Sequence, residues 1–474
     1  MRRFLKIFFL LTVFFFITAV NVDPSKILDW KYSQYLIKVH QISYNYYYDF
    51  IGDKLVSLNK FKKVRLTKFI SNENYKIEYF EKFTNLRSPR HPRSKIAGFI
   101  GANSTDSNSM IFVTANGVFF KISSDIENIE DTDNLNIEII DSNLPDIIKN
   151  KFFHKPYPED RHGIKDITLT SENKVIISIS DRNFNKNCTY AKVLIADFNS
   201  SKKLIFSPIF KSDCIDLNKG QFHNNAAHML GARIKLYNNE KEIIMGLGML
   251  NNFNLPQDDN NFYGKIIKFP IQDSFLIDSN IDKSKVSVLA KGIRNPQGLD
   301  VLENNVIVSS HGPKGGDVLN HFNLNDKAIN YGFPIVSYGT HYDGSFSTDI
   351  GLDVALASNN VAPDYAPFYQ DPLKFGYDEA LFNWTPSIAP SQVRFLNYNN
   401  KKSIILSSMG YRGDFGQQSI HKYDFINNDG SLIISDSIIV PLGGRIRDIE
   451  NQKERIWFWD ESNGLLGRIK FLSD

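Results

Sequence analysis

G-I-R-N-P-Q-G-L-D-V-L-E-N-N-V-I-V-S-S-H-G-P-K-G-G-D-V-L-N, residues 292–320, followed by N-Y-G-F-P-I-V-S-Y-G at 330–339, is the stretch from which the fold is read. Pro296 biases Asn295 away from helix, so Arg294 and Asn295 sit on extended or turning backbone. A short apolar strand follows at Val306–Val308, where β-branched side chains suit a pleated, buried surface. The chain then turns through His311-Gly312-Pro313-Lys314-Gly315-Gly316-Asp317. Its three glycines let the backbone approach a ligand closely, or aim carbonyls and amides inward. A strand ending in such a loop, with one basic and one acidic side chain on it, suits a cation or an anionic cofactor. A glycine-rich turn without chemistry reads equally well from these residues alone.

Outward from this stretch the same grammar repeats. From Ile96 onward short strands alternate with Asn, Asp, Gly and Ser clusters, as at Met110–Thr114, Lys174–Ser180, Lys241–Gly246, Ser403–Ser408 and Arg455–Trp459. Units of loop, strand, polar turn and strand start near residues 96, 163, 231, 298, 388 and 447. This irregular repeat predicts an all-β, six-bladed β-propeller, with a sandwich as the alternative that its many hairpins disfavour. The loops at one end of the central channel would then carry the site.

The chain has 474 residues, 42% of them hydrophobic, enough for a large core in one repeat architecture. Its 55 basic and 52 acidic residues leave a net charge of +3, which gives no support for a nucleic-acid partner. Two cysteines exclude a zinc or iron–sulfur framework built on thiolates. Met1-Arg2-Arg3 and Lys6 precede an apolar run from Ile7 to Val20, the pattern of a signal peptide or short membrane anchor helix. Residues 1–24 are read as that segment, 25–93 as a membrane-proximal segment and linker, and 94–474 as the propeller. An exported protein, periplasmic or extracellular, is expected, with membrane contact through the N-terminus. In that compartment Cys188 and Cys214 can pair, because a hairpin turning at Asn199-Ser200-Ser201 sets them nearly opposite; two free thiols are the alternative.

The ordered pieces Arg294-Asn295-Pro296-Gln297-Gly298-Leu299, His311-Gly312-Pro313-Lys314-Gly315-Gly316-Asp317, Asn330-Tyr331-Gly332-Phe333-Pro334, Trp384 to Ser391 and Arg445-Ile446-Arg447-Asp448 together resemble the glucose/sorbosone dehydrogenase family. Gly163-Ile164-Lys165-Asp166 and Tyr263-Gly264-Lys265-Ile266 are weaker echoes of the same family. The resemblance implies a propeller carrying pyrroloquinoline quinone (PQQ) and Ca2+, with hydride transfer from the anomeric carbon of an aldose to the quinone. A respiratory electron acceptor would then receive the electrons. His228, in H-M-L-G-A-R-I, matches the family's general base, with one extra residue before Arg233; His223 and His162 compete for the role. Arg294 and Asn295 match the cofactor-facing pair, and Arg445 and Arg447 the carboxylate-binding pair. At i and i+2 on a strand these two arginines point the same way and can clamp one anion. Gly312 and Pro313 match the backbone calcium donors, and Asp317 the acidic residue of their loop. Trp384 matches an aromatic that stacks on a flat cofactor, although a propeller aromatic is often core.

Departures accompany the match. Gly248-Met249 stands where the family has Gly-Asp, Val318 replaces an acidic residue, and a family lysine is missing where Ser408-Met409-Gly410-Tyr411-Arg412 lies, so that Arg412 is the candidate substitute. These losses leave open a second reading, a divergent propeller that binds a carbohydrate or protein without redox chemistry. A calcium-dependent lactonase would need several carboxylates converging on the channel, and the loops offer chiefly basic and amide groups.

Overall fold

Runs such as Met110–Val113, Ile243–Met245 and Ile456–Trp459 are apolar at consecutive positions, as strands buried on both faces require. The computed structural model describes residues 61–82, 97–102, 109–125, 129–147, 163–183, 185–198, 203–216, 229–271, 283–313, 316–327, 329–339, 371–398, 401–410, 418–428 and 431–472. The fold is all-β and propeller-like.

A hairpin opens the described chain, β1 (Phe61–Ser71) and β2 (Tyr75–Phe80). Antiparallel four-stranded runs follow. The first holds β3 (Gly98–Ala102), β4 (Ser109–Thr114), β5 (Phe119–Ser123) and β6 (Asn134–Ser142). The second holds β7 (Gly163–Leu169), β8 (Lys174–Asn183) and β9 (Cys188–Asp197); after the short β10 (Lys203–Leu204), which pairs with β6, it ends in β11 (Ser207–Lys211), with β12 (Ile215–Asp216) also on β9. The third holds β13 (Gly231–Tyr237), β14 (Glu242–Leu247), β15 (Lys265–Pro270) and β16 (Ser287–Lys291). The fourth holds β17 (Pro296–Leu302), β18 (Asn305–Ser310) and β19 (Asp317–Asn323); β20 (Ile329–Asn330) lies parallel to β16, and β21 (Phe382–Trp384) completes the run. The fifth is β22 (Pro390–Tyr398), β23 (Lys401–Ser408), β24 (Ser419–Asn428) and β25 (Ser431–Pro441). The last is β26 (Ile446–Gln452), β27 (Arg455–Asp460) and β28 (Leu465–Phe471), and its fourth strand is β2.

The first strands of these runs pack on one another in sequence, β3 on β7, β7 on β13, β13 on β17, β17 on β22, β22 on β26, and β26 back on β3. A hydrophobic cluster fills each joint. Ile243 faces one joint and Ile244 the next, because successive strand residues point to opposite faces. That geometry explains the continuous apolar runs.

The ring closes through the N-terminal hairpin. β2 pairs antiparallel with β28, and β1 pairs with β2 and then with β6, so one ten-stranded sheet joins the last run to the first. Arg468 of β28 is 2% exposed and bonds Glu78 of β2 and, at 3.0 Å each, the carbonyls of Ile129 and Thr132. Phe80 stacks on Trp457 at 5.6 Å. β1 and β2 thus belong to the closing sheet although they precede residue 94, where the sequence analysis begins the propeller; β1 is rich in lysine and its partners lie far away in sequence. The hydrophobic N-terminal helix and the basic, proline-bearing run at 88–95 fall outside the described residues. Among the described residues no helix is long and apolar enough to cross a membrane.

The expected disulfide is present, Cys188 to Cys214 with Cα atoms 5.4 Å apart. Between the two cysteines, Lys203–Leu204 pairs with β6 and Ser207–Lys211 with β9.

Candidate functional site

A bulge interrupts the start of β7, β13, β17, β22 and β26, each time within a few residues of the strand's first residue. Bulges re-aim side chains at strand ends. Just past three of them stand Asp166, Arg233 and Asp448, which meet beneath the mouth of the ring. Arg233, 2% exposed, donates from Nη1 to Asp166 at 3.1 Å and to Asp448 at 2.9 Å, and from Nε to the Gln297 carbonyl at 2.6 Å. The second oxygens of the two carboxylates accept backbone N–H groups of neighbouring inner strands, Ile234 at 2.9 Å and Ile100 at 2.7 Å. Asp300 does the same for Phe395 at 2.7 Å. These carboxylates tie the inner strands together and close the channel floor.

Above this floor lies a cleft lined by Arg294, His311, Gly312, Pro313, Tyr331 and Phe333, among others. The Arg294 guanidinium donates to the Gly312 carbonyl at 2.8 Å and the His311 carbonyl at 3.3 Å. Buried Asn295 braces the turn. Its amide donates to Ser310 Oγ at 3.1 Å, its carbonyl accepts from His311 N at 3.0 Å, and its side-chain oxygen accepts from Gln297 at 2.9 Å. Glycine is required at 312, because a Cβ there would lie 1.8 Å from the Gly316 carbonyl oxygen.

His311 Nε2 lies 2.7 Å from the Pro390 carbonyl, which can only accept, so this nitrogen carries the proton. Burial pulls the imidazole down to about 3, the Pro390 hydrogen bond opposes, and the charges of Arg294, Arg447 and Arg445 pull the same way as burial. Of these three arginines, Arg294 lines the cleft itself. Arg445 and Arg447 share one buried carboxylate, Glu461, at 3.5 and 2.5 Å. Arg445 also donates to the Met409 carbonyl at 3.3 Å. Asp317 is 3% exposed, and both its oxygens accept backbone N–H groups, Gly312 at 3.1 Å and Ala389 at 2.8 Å. Burial raises it to about 6, against the pull of those amides and of Arg294.

The loop from Gly248 to Gly264 backs residues that line the cleft. Met249 N donates to the Arg294 carbonyl at 2.9 Å, and Ile293 N to the Gly264 carbonyl at 3.0 Å. Gln257 Nε2 donates to Asn330 Oδ1 at 3.0 Å and to the Phe333 carbonyl at 2.9 Å. Inside the loop sits the Lys265 ammonium, pulled by burial down to about 8, with Asp259 and Asp258 opposing.

The structure brings Arg294, Gly312 and Pro313 together at the cleft and sets Arg445 and Arg447 close by. Trp384 is elsewhere. It lies in the core between the fourth and fifth runs, edge-on to Phe382 at 5.1 Å and bonded to Tyr423 at 3.3 Å, so the core reading of this aromatic holds and cofactor stacking does not. Asp448, quoted as part of a cofactor-binding motif, is a floor residue. His228, His223, His162 and Arg412 lie outside the described residues. Sequence reasoning missed Glu461, His311 and the Arg233 floor; the signal for the last was the recurrence of Asp in G-I-K-D, G-L-D and R-I-R-D just inside three of the six inner strands. Among the described residues no three His, Cys, Asp or Glu side chains are grouped to hold a metal ion.

With this geometry in hand, known proteins were compared. The sequence model of the glucose/sorbosone dehydrogenase family matches residues 163–468. The aldose sugar dehydrogenase YliI of Escherichia coli strain K12 is 24% identical over 247 residues, 50% of this chain and 59% of that protein. An uncharacterized protein of Synechocystis sp. is 29% identical over 214 residues, 44% of this chain and 45% of that protein. The chain thus spans about half the length of the curated relatives it matches. A soluble aldose sugar dehydrogenase from Escherichia coli, solved in the apo form, superposes with a TM-score of 0.58 at 17% identity, over 84% of this chain and 100% of that one. A glucose dehydrogenase superposes at 0.55 and 14%, over 80% and 97%. At such identities the likeness establishes the fold alone.

Proposed function

The chain belongs to the glucose/sorbosone dehydrogenase family, and from that premise we propose that it is a PQQ-dependent oxidoreductase that oxidises an aldose-type sugar at its anomeric carbon. The observation that carries this reading is the grouping of Arg294, Arg445 and Arg447 around one loop cluster: Arg294 bonds the His311 and Gly312 carbonyls, His311 meets the Pro390 carbonyl, and Arg445, which shares Glu461 with Arg447, bonds Met409, whose amide donates to Ala389. Guanidinium groups gathered in this way suit an anionic ligand. The six antiparallel runs are read as six blades, with the cleft at the channel mouth.

PQQ is a flat tricarboxylate that, when bound, supplies a two-electron quinone acceptor for the hydride. Arg294, Arg445 and Arg447 would hold its carboxylates and stabilise negative charge growing on a reacting oxygen. Tyr331 and Phe333 would exclude water from the cleft wall. His228 would take the hydroxyl proton of the sugar as general base. Calcium does not fit the donors as they are folded. The Gly312 carbonyl is bonded by Arg294 and both Asp317 oxygens by backbone amides, so no step is routed through a metal. The apolar run at Ile7–Val20 and the Cys188–Cys214 disulfide support an exported protein, periplasmic or extracellular and membrane-tethered if the run is retained, which passes electrons to a respiratory acceptor.

One observation favours the second reading, a recognition propeller without redox chemistry: Arg445 and Arg447 already have an internal partner in Glu461. A titration of the full chain with PQQ, with and without calcium, separates the two. Saturable binding that does not need calcium, followed by an absorbance change of the cofactor on adding an aldose, is the expected result. Absence of PQQ binding would overturn the enzyme reading. Binding without any response to an aldose panel would remove the sugar substrate.

A further inference from the structure

Lys265 stands in the motif Tyr263-Gly264-Lys265-Ile266, to which the functional reading assigns no part. Its side chain is completely buried. The ammonium donates to the carbonyls of Leu255 and Asp258 at 2.9 Å each and of Tyr263 at 3.0 Å, with Asn261 Oδ1 at 3.5 Å. Oxygens from one loop thus surround a single cation, the arrangement by which loops bind hard metal ions. The charged neighbours are answered separately. Asp258 accepts from Asn260 and Asn261, and Asp259 pairs with Lys291 at 2.8 Å. The loop can wrap this tightly because Gly264 adopts φ +70°, and any Cβ there would lie 2.6 Å from Pro256 Cα. Without a cation, the buried Tyr263 carbonyl would lose the ammonium's hydrogen bond, and those of Leu255 and Asp258 would keep only the Asn261 amide and, on Leu255, Asp258 N, a costly loss in a buried loop.

We propose that Lys265 is the positioning residue of the cleft wall, its ammonium filling a cation cage whose integrity holds Pro256 and Gln257 against the strands that line the cleft. The connection is explicit. Pro256 O accepts from Gly292 N at 3.4 Å, and Gln257 exchanges hydrogen bonds with Asn330 at 2.9 and 3.0 Å while holding the Phe333 carbonyl. Gly292 is two residues from Arg294, and Phe333 lines the cleft. The identity of the cleft's ligand rests on the function proposed above; the cage and its hold on the wall do not.

The test is amide hydrogen exchange on the full chain, with Tm measured alongside. In Lys265→Ala, exchange should rise at least tenfold at residues 255–263, Gly292 and Phe333, with little change in the fifth and sixth runs. Added ammonium or potassium ions should restore protection, because the emptied cage accepts a small cation. Lys265→Met, which fills the space with an apolar group, should lose protection and not be rescued. Unchanged exchange, a rise spread evenly over all runs, or rescue of both variants alike would overturn the proposal. Should neither variant fold, Gln257→Ala reads the same link: exchange rises at Gly332 and Phe333 while residues 255–263 stay protected, and no rise there overturns it. PQQ affinity serves as a separate readout. If the unaltered chain binds PQQ, Lys265→Met weakens binding at least tenfold; if it does not, the cofactor assignment falls while the exchange result still decides the role of Lys265.

Discussion

Arg294 shows how much depends on the shape of one side chain. Its Nη1 donates to two carbonyls of the glycine loop, and a lysine would keep the charge but lose the planar fork that can meet a carboxylate with two parallel hydrogen bonds. Arg294→Lys is expected to weaken PQQ binding about tenfold or more while leaving Tm within a few degrees, which a fluorescence titration and a thermal melt would check. Arg233 beneath it is structural. Replacing it by Met leaves Asp166 and Asp448 facing each other in the buried floor, a loss of about 3–5 kcal/mol for an uncompensated buried charge. Denaturant unfolding should show this as a large fall in midpoint. His421 carries the pH dependence. Trp384 Nε1 donates to the Tyr423 hydroxyl, so the hydroxyl proton goes to His421 Nδ1, and Nε2–H meets Ser419 Oγ at 2.8 Å. A second proton on this ring has no acceptor, and burial holds its pKa down at about 4. The unfolded chain therefore binds a proton near pH 6.5 that the folded chain refuses until about pH 4. Stability should fall as pH drops through that window, by up to about 3 kcal/mol. His421→Gln should make this acid limb shallower in melts recorded from pH 7 to 4, the remaining slope including that of His311, whose pKa is also held down by burial.

Among the elements, the inner strands were legible and the closing hairpin was not. Starts expected near 163, 231, 298, 388 and 447 are found at Gly163, Gly231, Pro296, Pro390 and Ile446, because glycine or proline punctuates each entry into a strand. β1, with Lys62, Lys63, Arg65 and Lys68, has no apolar alternation to announce it, and its assignment depends on partners at the far end of the chain. A chain beginning at residue 97 should therefore lose several degrees of Tm or fail to fold cooperatively, whereas one beginning at residue 61 should melt as the full chain does. The disulfide acts on a different element. It fastens β9 to the segment before β12 across a sequence separation of 26. Removing it by Cys188→Ser with Cys214→Ser should cost about 2–4 kcal/mol, measured as a reduced Tm that no longer responds to dithiothreitol.

For the molecule as a whole, the repeat grammar was enough to read an all-β, propeller-like fold, and three of the residues in the ordered motifs, Arg294, Gly312 and Pro313, line one cleft. What they could not give was orientation. Asp317 reads as a metal ligand in sequence, yet its carboxylate turns to backbone amides, and Glu461 lies in a segment with no motif although it sits between the two arginines that matter. Partners of this kind are set by which loops meet at the end of a ring, a property of closure and not of local pattern. Closure has a temporal side as well. A ribosome delivers β2 long before β28, yet each is the other's neighbour. The nascent chain must carry an unmatched strand until β28 emerges, and a copy that stops before Leu465 leaves an open ring with two bare edges. Unpaired backbone of that kind is a template for association with other chains, so such copies should aggregate more readily than the closed ring.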